Sequence, residues 1–483
     1  MNRPHLLVLL SLLPVAAGAT SFTAETVATG YGVVHALDTG ELVPGHDGCE
    51  VVVLDPAGSV HLVVPGEGVW PSIVLLAGED PCAGAFSRPT VEVGELIAAA
   101  AGEEVAVLSE RHLNVIRRVG SSDWFVERIF DAGGYVGNAW GARVGDYRPS
   151  RPGEEIFMIY EGVMDFSFGT VFHHDGSDWR DFEVYSAEVG MDSAAGEFDA
   201  AHGGAEFVVT TEMGPTYQLH EAGDPPPPWP RTEVWNDFDN AGWVCAVADV
   251  DTDVAGNEVV YGSRYSDSIM VSRPDGGGTH HHQVVFVGDQ GAGPGNMWDL
   301  AVGDVLPASP AAEIVGVDDG GHVYLVRRED DVWVGETIWT DDLGEIYAVC
   351  SADFRPAVAG DEILVGDAAG RLVLLTRDDA SPIPVAPPIG GPRITGVRCR
   401  PNPGNPAVEI GFELTVAAPV LLAIHAPDGR LVRTLVETDL PAGAHAFPWR
   451  GRDEAGRAVA AGPYLFQVRA AGETAGGIFS LVK

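Results

Sequence analysis

From Val247 to Gly262 the chain reads VADVDTDVAGNEVVYG, with aspartates alternating at Asp249, Asp251 and Asp253 and Glu258 following ahead of an apolar run. Alternating carboxylates on a turn can converge on one point, and calcium takes roughly six to eight such oxygens. Asn257 is a further candidate ligand, which makes calcium the cofactor to test. Val254 stands where a calcium loop has Gly to permit its bend, so the same acids also read as solvated residues of a structural turn.

Two other groups could do chemistry. Trp140, Trp243, Trp298 and Tyr347 recur at one spacing, with His35, Pro89 and Met191 in the equivalent positions. Gathered round one opening, they could stack on a sugar or a peptide, or pack between neighbouring elements. Arg143 belongs with Asp38, Glu92, Asp192 and Asp299 on the other face of the same segments. An enzyme would need two of those carboxylates exposed beside Arg143, whereas a structural ion-pair set would leave them all paired and buried. Three consecutive histidines, His280 to His282, cannot all face one metal in a strand, because the side-chain period is two. No GxSxG, HExxH, P-loop or dinucleotide fingerprint is present.

What positions these residues is a repeat. Seven acids, Glu41, Glu95, Asp146, Glu197, Asp249, Asp304 and Asp353, follow one another at intervals of 49 to 55 residues. Each is preceded by Gly or Ala and followed nine residues later by a Glu: Glu50, Glu104, Glu155, Glu206, Glu258, Glu313 and Glu362. Two residues before that Glu stands Gly in six copies and Ala311 in the seventh. Each unit carries four short strand-like runs: A ending at the acid, B starting at the Glu, C after a tight turn such as DDGG or DAAG, and an aromatic-bearing D. Four strands per repeat of this length predict a β-propeller of seven blades. The seventh unit lacks a strand D, while Glu25-Thr26-Val27 aligns with Glu336-Thr337-Ile338 in the sixth. The N-terminal strand is therefore expected to complete the last blade, leaving no orphan edge. The small residue before each acid lets neighbouring inner strands approach, and the recurring carboxylates are expected to accept backbone N–H groups of the A–B turns.

The 483 residues exceed one ordinary core. MNRPHLLVLLSLLPVAAGA has the basic start, apolar run and small-residue end of a secretory signal peptide, expected to end at Ala19. No later run is long enough to span a membrane. The net charge of −42 opposes binding to nucleic acid. Cys49, Cys82, Cys245, Cys350 and Cys399 are an odd number without CxxC spacing, which favours buried thiols and leaves a Cys49–Cys82 bridge open.

The domains expected are a signal peptide (1–19), a seven-bladed propeller (20–380), a Pro/Gly-rich linker (381–392) and an Ig-like β-sandwich (393–483). Pro401-Asn402-Pro403, Asp428-Gly429-Arg430, Trp449 with Gly451-Arg452-Asp453, Gly456-Arg457, Gly462 with Tyr464, and Leu481-Val482-Lys483 occur in order. This C-terminal region resembles the Ig-like domain of flagellar hook-capping (FlgD-type) proteins, as used in type IX secretion sorting domains. The resemblance implies a bacterial exported protein whose tail is read by secretion machinery or rests on the cell surface. The propeller resembles FG-GAP/VCBS repeats, the integrin-like bacterial propellers, although six of its seven A–B turns lack the DxDxD pattern. The expected function is an exported, surface-associated binding protein with a carbohydrate or protein ligand. A carbohydrate-active lyase or dehydratase and a structural surface-layer component are the alternatives.

Overall fold

The computed structural model describes residues 20–378 and 394–482, less intervals of at most ten residues within them. The signal peptide and linker expectations, Cys82, Val254 and the Pro225–Pro228 run all lie outside the described residues. The strands sort into two compact units.

The first unit is seven four-stranded antiparallel sheets. The innermost strands, Ala36–Gly40, Thr90–Gly94, Ala139–Gly145, Gly190–Gly196, Gly242–Ala248, Met297–Gly303 and Ile346–Ala352, each end on the small residue before the repeated acid. Each packs on its successor, and Ala36–Gly40 packs on Ile346–Ala352, which closes the ring. Crowding at this ring explains the small residues. A Cβ added at Gly40 would run into Val93 and Glu103, at Gly94 into Val144 and Glu154, and at Gly196 into Val247. In each case the obstacle is the next blade.

Second strands such as Glu104–Leu108 and Glu313–Asp318 are buried at every position, and in the third blade burial runs from Glu155 to Ile159, because both faces meet neighbouring blades. They therefore read as continuous apolar runs. The outermost strands alternate between part-buried and exposed, as in Asp123–Asp131.

Closure follows the alignment made from sequence. Phe22–Thr29 pairs antiparallel with Arg371–Arg377, placing Glu25 opposite Leu374 and Thr26 opposite Val373 and bulging before Ala28. In the sixth blade Glu336 lies opposite Leu325 and Thr337 opposite Tyr324, with the bulge at the same place. The N-terminal strand thus supplies the missing strand D in the register of its sixth-blade counterpart.

The second unit is a seven-stranded sandwich. Ile394–Arg400, Val408–Leu414 and Gly443–Trp449 form one sheet. The other is ordered Leu431–Leu440, Ala418–His425, Gly462–Ala470 and Glu473–Leu481. Trp449 is buried between them, edge-on to Tyr464 and Phe479 at ring distances of 5.2 and 5.5 Å. Among the described residues no helix is long and apolar enough to cross a membrane.

Candidate functional site

The repeated glutamates come first, because they hold the turns that carry everything else. All seven are buried. Six accept a backbone N–H of their own A–B turn: Ile97 to Glu104 at 2.9 Å, Arg148 to Glu155 at 2.7 Å and Phe198 to Glu206 at 3.3 Å. Val250 and Asp251 both donate to Glu258 at 3.1 Å, Leu306 to Glu313 at 2.8 Å and Arg355 to Glu362 at 2.9 Å. Burial pushes Glu155 up to about 8, and Glu258, Glu313 and Glu362 up to about 7. The Gly two places earlier has a job as well. Gly48, Gly102, Gly153, Gly256 and Gly360 adopt φ between 91° and 110°, a left-handed bend that side chains resist.

The first acids differ from the struts. All seven are exposed, and Asp353 accepts the Arg355 N–H of its own turn as expected. In addition, the residue before the next blade's strut reaches back to them. Glu95 N–H donates to Glu154 at 2.8 Å, and Glu154 N–H to the Glu95 carbonyl at 2.9 Å. Asp304 and Asp361 repeat this exchange at 2.9 and 2.8 Å, and Glu41 N–H donates to Glu103. Sequence reasoning missed these inter-blade clasps. Their signal was an acid directly before the strut in these three copies.

At the Asp-rich turn, Asp251 is buried and paired with Arg273, with Arg328 Nε 3.5 Å from its other oxygen. Asp249 and Asp253 are exposed, and Asp253 lies 3.6 Å from Arg328. Both guanidiniums lie over the Trp333 ring. The positive charge that calcium would bring is already supplied here by two arginines. Among the described residues no group of three or more His, Cys, Asp and Glu side chains is arranged to hold a metal ion. His280 and His282 share a face, as their parity requires, and spend ring nitrogens on Ser272, Gln218 and the Val234 carbonyl. Cys245 and Cys350 are buried thiols.

The opposite ends of the inner strands form the channel mouth. In the third to seventh blades the residue at the shared aromatic position sits on a β-bulge: Trp140, Met191, Trp243, Trp298 and Tyr347 are each skipped in the pairing. A bulge re-aims its side chain, so the strict alternation used to place these residues fails at that point. Trp243, Trp298, Tyr347 and His35 form a continuous run across four adjacent blades, with successive ring distances of 5.5, 5.3 and 5.9 Å. The first two contacts are edge-to-face. Trp140 and Trp243 are buried, while Trp298, Tyr347 and His35 are partly exposed.

Below the rings lie the channel charges. Arg143 makes a two-pronged pair with Asp192 at 2.7 and 2.9 Å and a third bond to Glu92 at 2.6 Å. Asp192 also accepts Cys245 N–H at 3.0 Å, Asp38 accepts Val93 N–H at 2.7 Å, and Asp299 accepts Val349 N–H at 3.0 Å. Each of these three aspartates holds the inner strand of the following blade. Burial pushes the Asp38 and Glu92 carboxyls upward, and Arg143 opposes this at both. All four carboxylates are thus partnered and at least partly buried, which was the arrangement expected of a structural set. The space left among His35, Pro89, Glu92, Arg143, Asp299 and Tyr347 is about 20 Å³, room for about one water.

The geometry defines a β-propeller with the Glu92–Arg143–Asp192 ion pairs on its inner strands, joined in sequence to an Ig-like sandwich. Residues 402–474 of that sandwich match the FlgD Ig-like domain. No curated protein matches the chain. Among solved structures, the chain is similar to BBS1N in complex with ARL6DN. A lead-soaked crystal shares 10% identity over 75% of this chain and 98% of that one, with a TM-score of 0.52. A mercury-soaked crystal shares 8% over 74% and 98%, with a TM-score of 0.51. YCF48 from Cyanidioschyzon merolae shares 11% over 73% and 98%, with a TM-score of 0.47. At such identities the BBS1N likenesses speak for the fold alone.

Proposed function

We propose that this is an exported binding protein whose propeller meets a protein ligand on the face around the channel mouth. The observation that carries the reading is the run of rings at the mouth. The space between His35, Glu92, Arg143, Asp299 and Tyr347 is about 20 Å³, so recognition at this point falls to the rim of rings. Trp298, Tyr347 and His35 offer a half-buried aromatic arc of the kind that anchors protein contacts. BBS1N, of the same fold, was crystallised in complex with ARL6DN, so a propeller of this general form can engage a protein. The N-terminal pattern at 1–19 supports export. The FlgD-type sandwich supports a tail that serves sorting by type IX machinery or attachment at the cell surface. FG-GAP/VCBS kinship of the blades is part of the same reading.

The test uses the full chain expressed in a bacterial host, with a photo-crosslinking residue at Tyr347 or, on the opposite face, at Asp253. N-terminal sequencing of the exported product should begin at Thr20. Crosslinks to protein from Tyr347 and none from Asp253 support the mouth face. Crosslinks only from Asp253, or retention of residues 1–19 in the cytosol, would refute the reading. Saturable binding of an oligosaccharide to the same face, with no protein adduct, would replace the protein ligand with a carbohydrate.

A further inference from the structure

The charge of the chain is unevenly spread. Residues 393–483 hold ten Arg and Lys against eight Asp and Glu, a net of +2, so the residues before them carry −44 against the whole chain's −42. Within the sandwich, three arginines line one pocket of about 240 Å³: Arg433, Arg450 and Arg452, with Thr434, Pro448 and Trp449. Arg433 stands on the edge strand Leu431–Leu440 of one sheet, and Trp449 ends the edge strand Gly443–Trp449 of the other. The pocket therefore lies along the open side of the sandwich, where the chain leaving Trp449 crosses from sheet to sheet.

That crossing is pinned in place. Trp449 Nε1 donates to the Arg452 carbonyl at 2.9 Å, and Gly451 between the two arginines takes φ 64°. Glu454 N–H donates to the Val432 carbonyl at 3.0 Å. Of the nearby acids, Asp453 is paired with Arg457, while Glu454 keeps its charge and is tied to the backbone. Asp453 accepts the Arg457 N–H and Nε at 2.8 and 2.9 Å, and Glu454 accepts Thr434 N–H. What remains for the arginines is slight: Arg452 donates to the Gly456 carbonyl at 2.6 Å, and Arg433 reaches the Asp453 carbonyl at 3.5 Å. Among the described residues, neither these two nor Arg450 has a carboxylate partner.

We propose that this pocket is a binding site for a phosphate monoester. Guanidinium forks match oxyanions in planar pairs, and three of them offer more donors than a single carboxylate's two oxygens can use. A phosphate monoester presents three terminal oxygens and up to two charges. The pocket also exceeds the size of a bare anion, leaving space beside Pro448 for the group that carries the phosphate.

The test is calorimetric titration of the full chain from Thr20 with glycerol 3-phosphate. In parallel, flotation is run with phosphatidylcholine vesicles with and without phosphatidic acid, which presents the same group on a lipid. The expectation is one saturable site per chain, weakened about tenfold in Arg450→Gln and in Arg433→Gln, as loss of one charged hydrogen-bond partner predicts. Arg450 is exposed and makes no side-chain bond among the described residues, so its variant should unfold at the wild-type temperature. Binding to the soluble ester or to the phosphatidic acid vesicles, lost in these variants, supports the site and names the source. No saturable binding in either arm, equal binding of acetate, or binding unchanged by Arg450→Gln would overturn it.

Discussion

Replacing Glu258 by Gln isolates what a buried strut glutamate contributes. Glu258 opens the second strand of the fifth blade, is 1% exposed, and accepts the Val250 and Asp251 N–H groups through Oε2. Burial raises its pKa from 4.5 to about 7. In the unfolded chain the carboxyl ionises near 4.5, so between roughly pH 5 and 7 the folded protein holds a proton that the unfolded chain has lost. Stability is therefore complete below about 4.5 and falls as pH rises through 7. A shift of this size corresponds to about 3 kcal/mol at most. Gln keeps the acceptor oxygen and cannot ionise. Urea unfolding followed by tryptophan fluorescence at pH 5, 7 and 9 should find E258Q within about 1 kcal/mol of wild type at pH 5. At pH 9 it should be the more stable protein by up to about 3 kcal/mol. Glu155, Glu313 and Glu362 shift the same way, so the wild-type propeller should itself weaken over that range. If the wild type instead gained on E258Q as pH rose, the carboxylate would be ionised in the fold and the argument from burial would be wrong.

Three further perturbations probe the scaffold. Asp251→Asn leaves the partly buried guanidinium of Arg273 without its paired carboxylate and should cost about 1–3 kcal/mol, read by the same urea titration. In wild type the unfolding temperature should be equal in calcium and in EDTA; a calcium-dependent rise lost in Asp251→Asn would overturn the arginine-pairing account. Gly94→Val drives a branched side chain into Val144 and Glu154 of the next blade and should destabilise by about 1–3 kcal/mol, whereas the same change at exposed Gly66 should be nearly silent. Removing residues 20–29 strips Val27 and Ala28 from their core, breaks the Glu25–Arg355 pair at 2.7 Å and bares the edge of Arg371–Arg377. That chain should elute as aggregate in size-exclusion chromatography; a monomer of wild-type stability would show that closure by the N-terminal strand is dispensable.

The architecture could be read from the sequence because the propeller writes the same physical demand seven times. Only a small residue fits where inner strands meet, only a buried acceptor quiets the A–B turn, and a bent turn favours Gly. A demand imposed seven times leaves a register that can be counted, down to the place where Glu25 substitutes for Glu336. The mouth and the Ig-like pocket were harder for the opposite reason: each occurs once. Arg143 could be recognised as unusual, and the repeat period groups it with Asp38, Glu92, Asp192 and Asp299, but which of these it pairs with, Glu92 and Asp192 one blade away on either side, is set by tertiary placement. The bulges at Trp298 and Tyr347 defeat a parity argument, since one extra residue changes the face, and no residue type announces a bulge. Asp251 was the most ambiguous, because an alternating run of acids satisfies a calcium pattern whether or not two arginines from later strands, Arg273 and Arg328, arrive beside it. A local motif specifies the donors that a site could use. Which charge reaches them is decided by strands some twenty to eighty residues further on, and that makes the Asp251→Asn and calcium experiments a test of tertiary placement rather than of the motif.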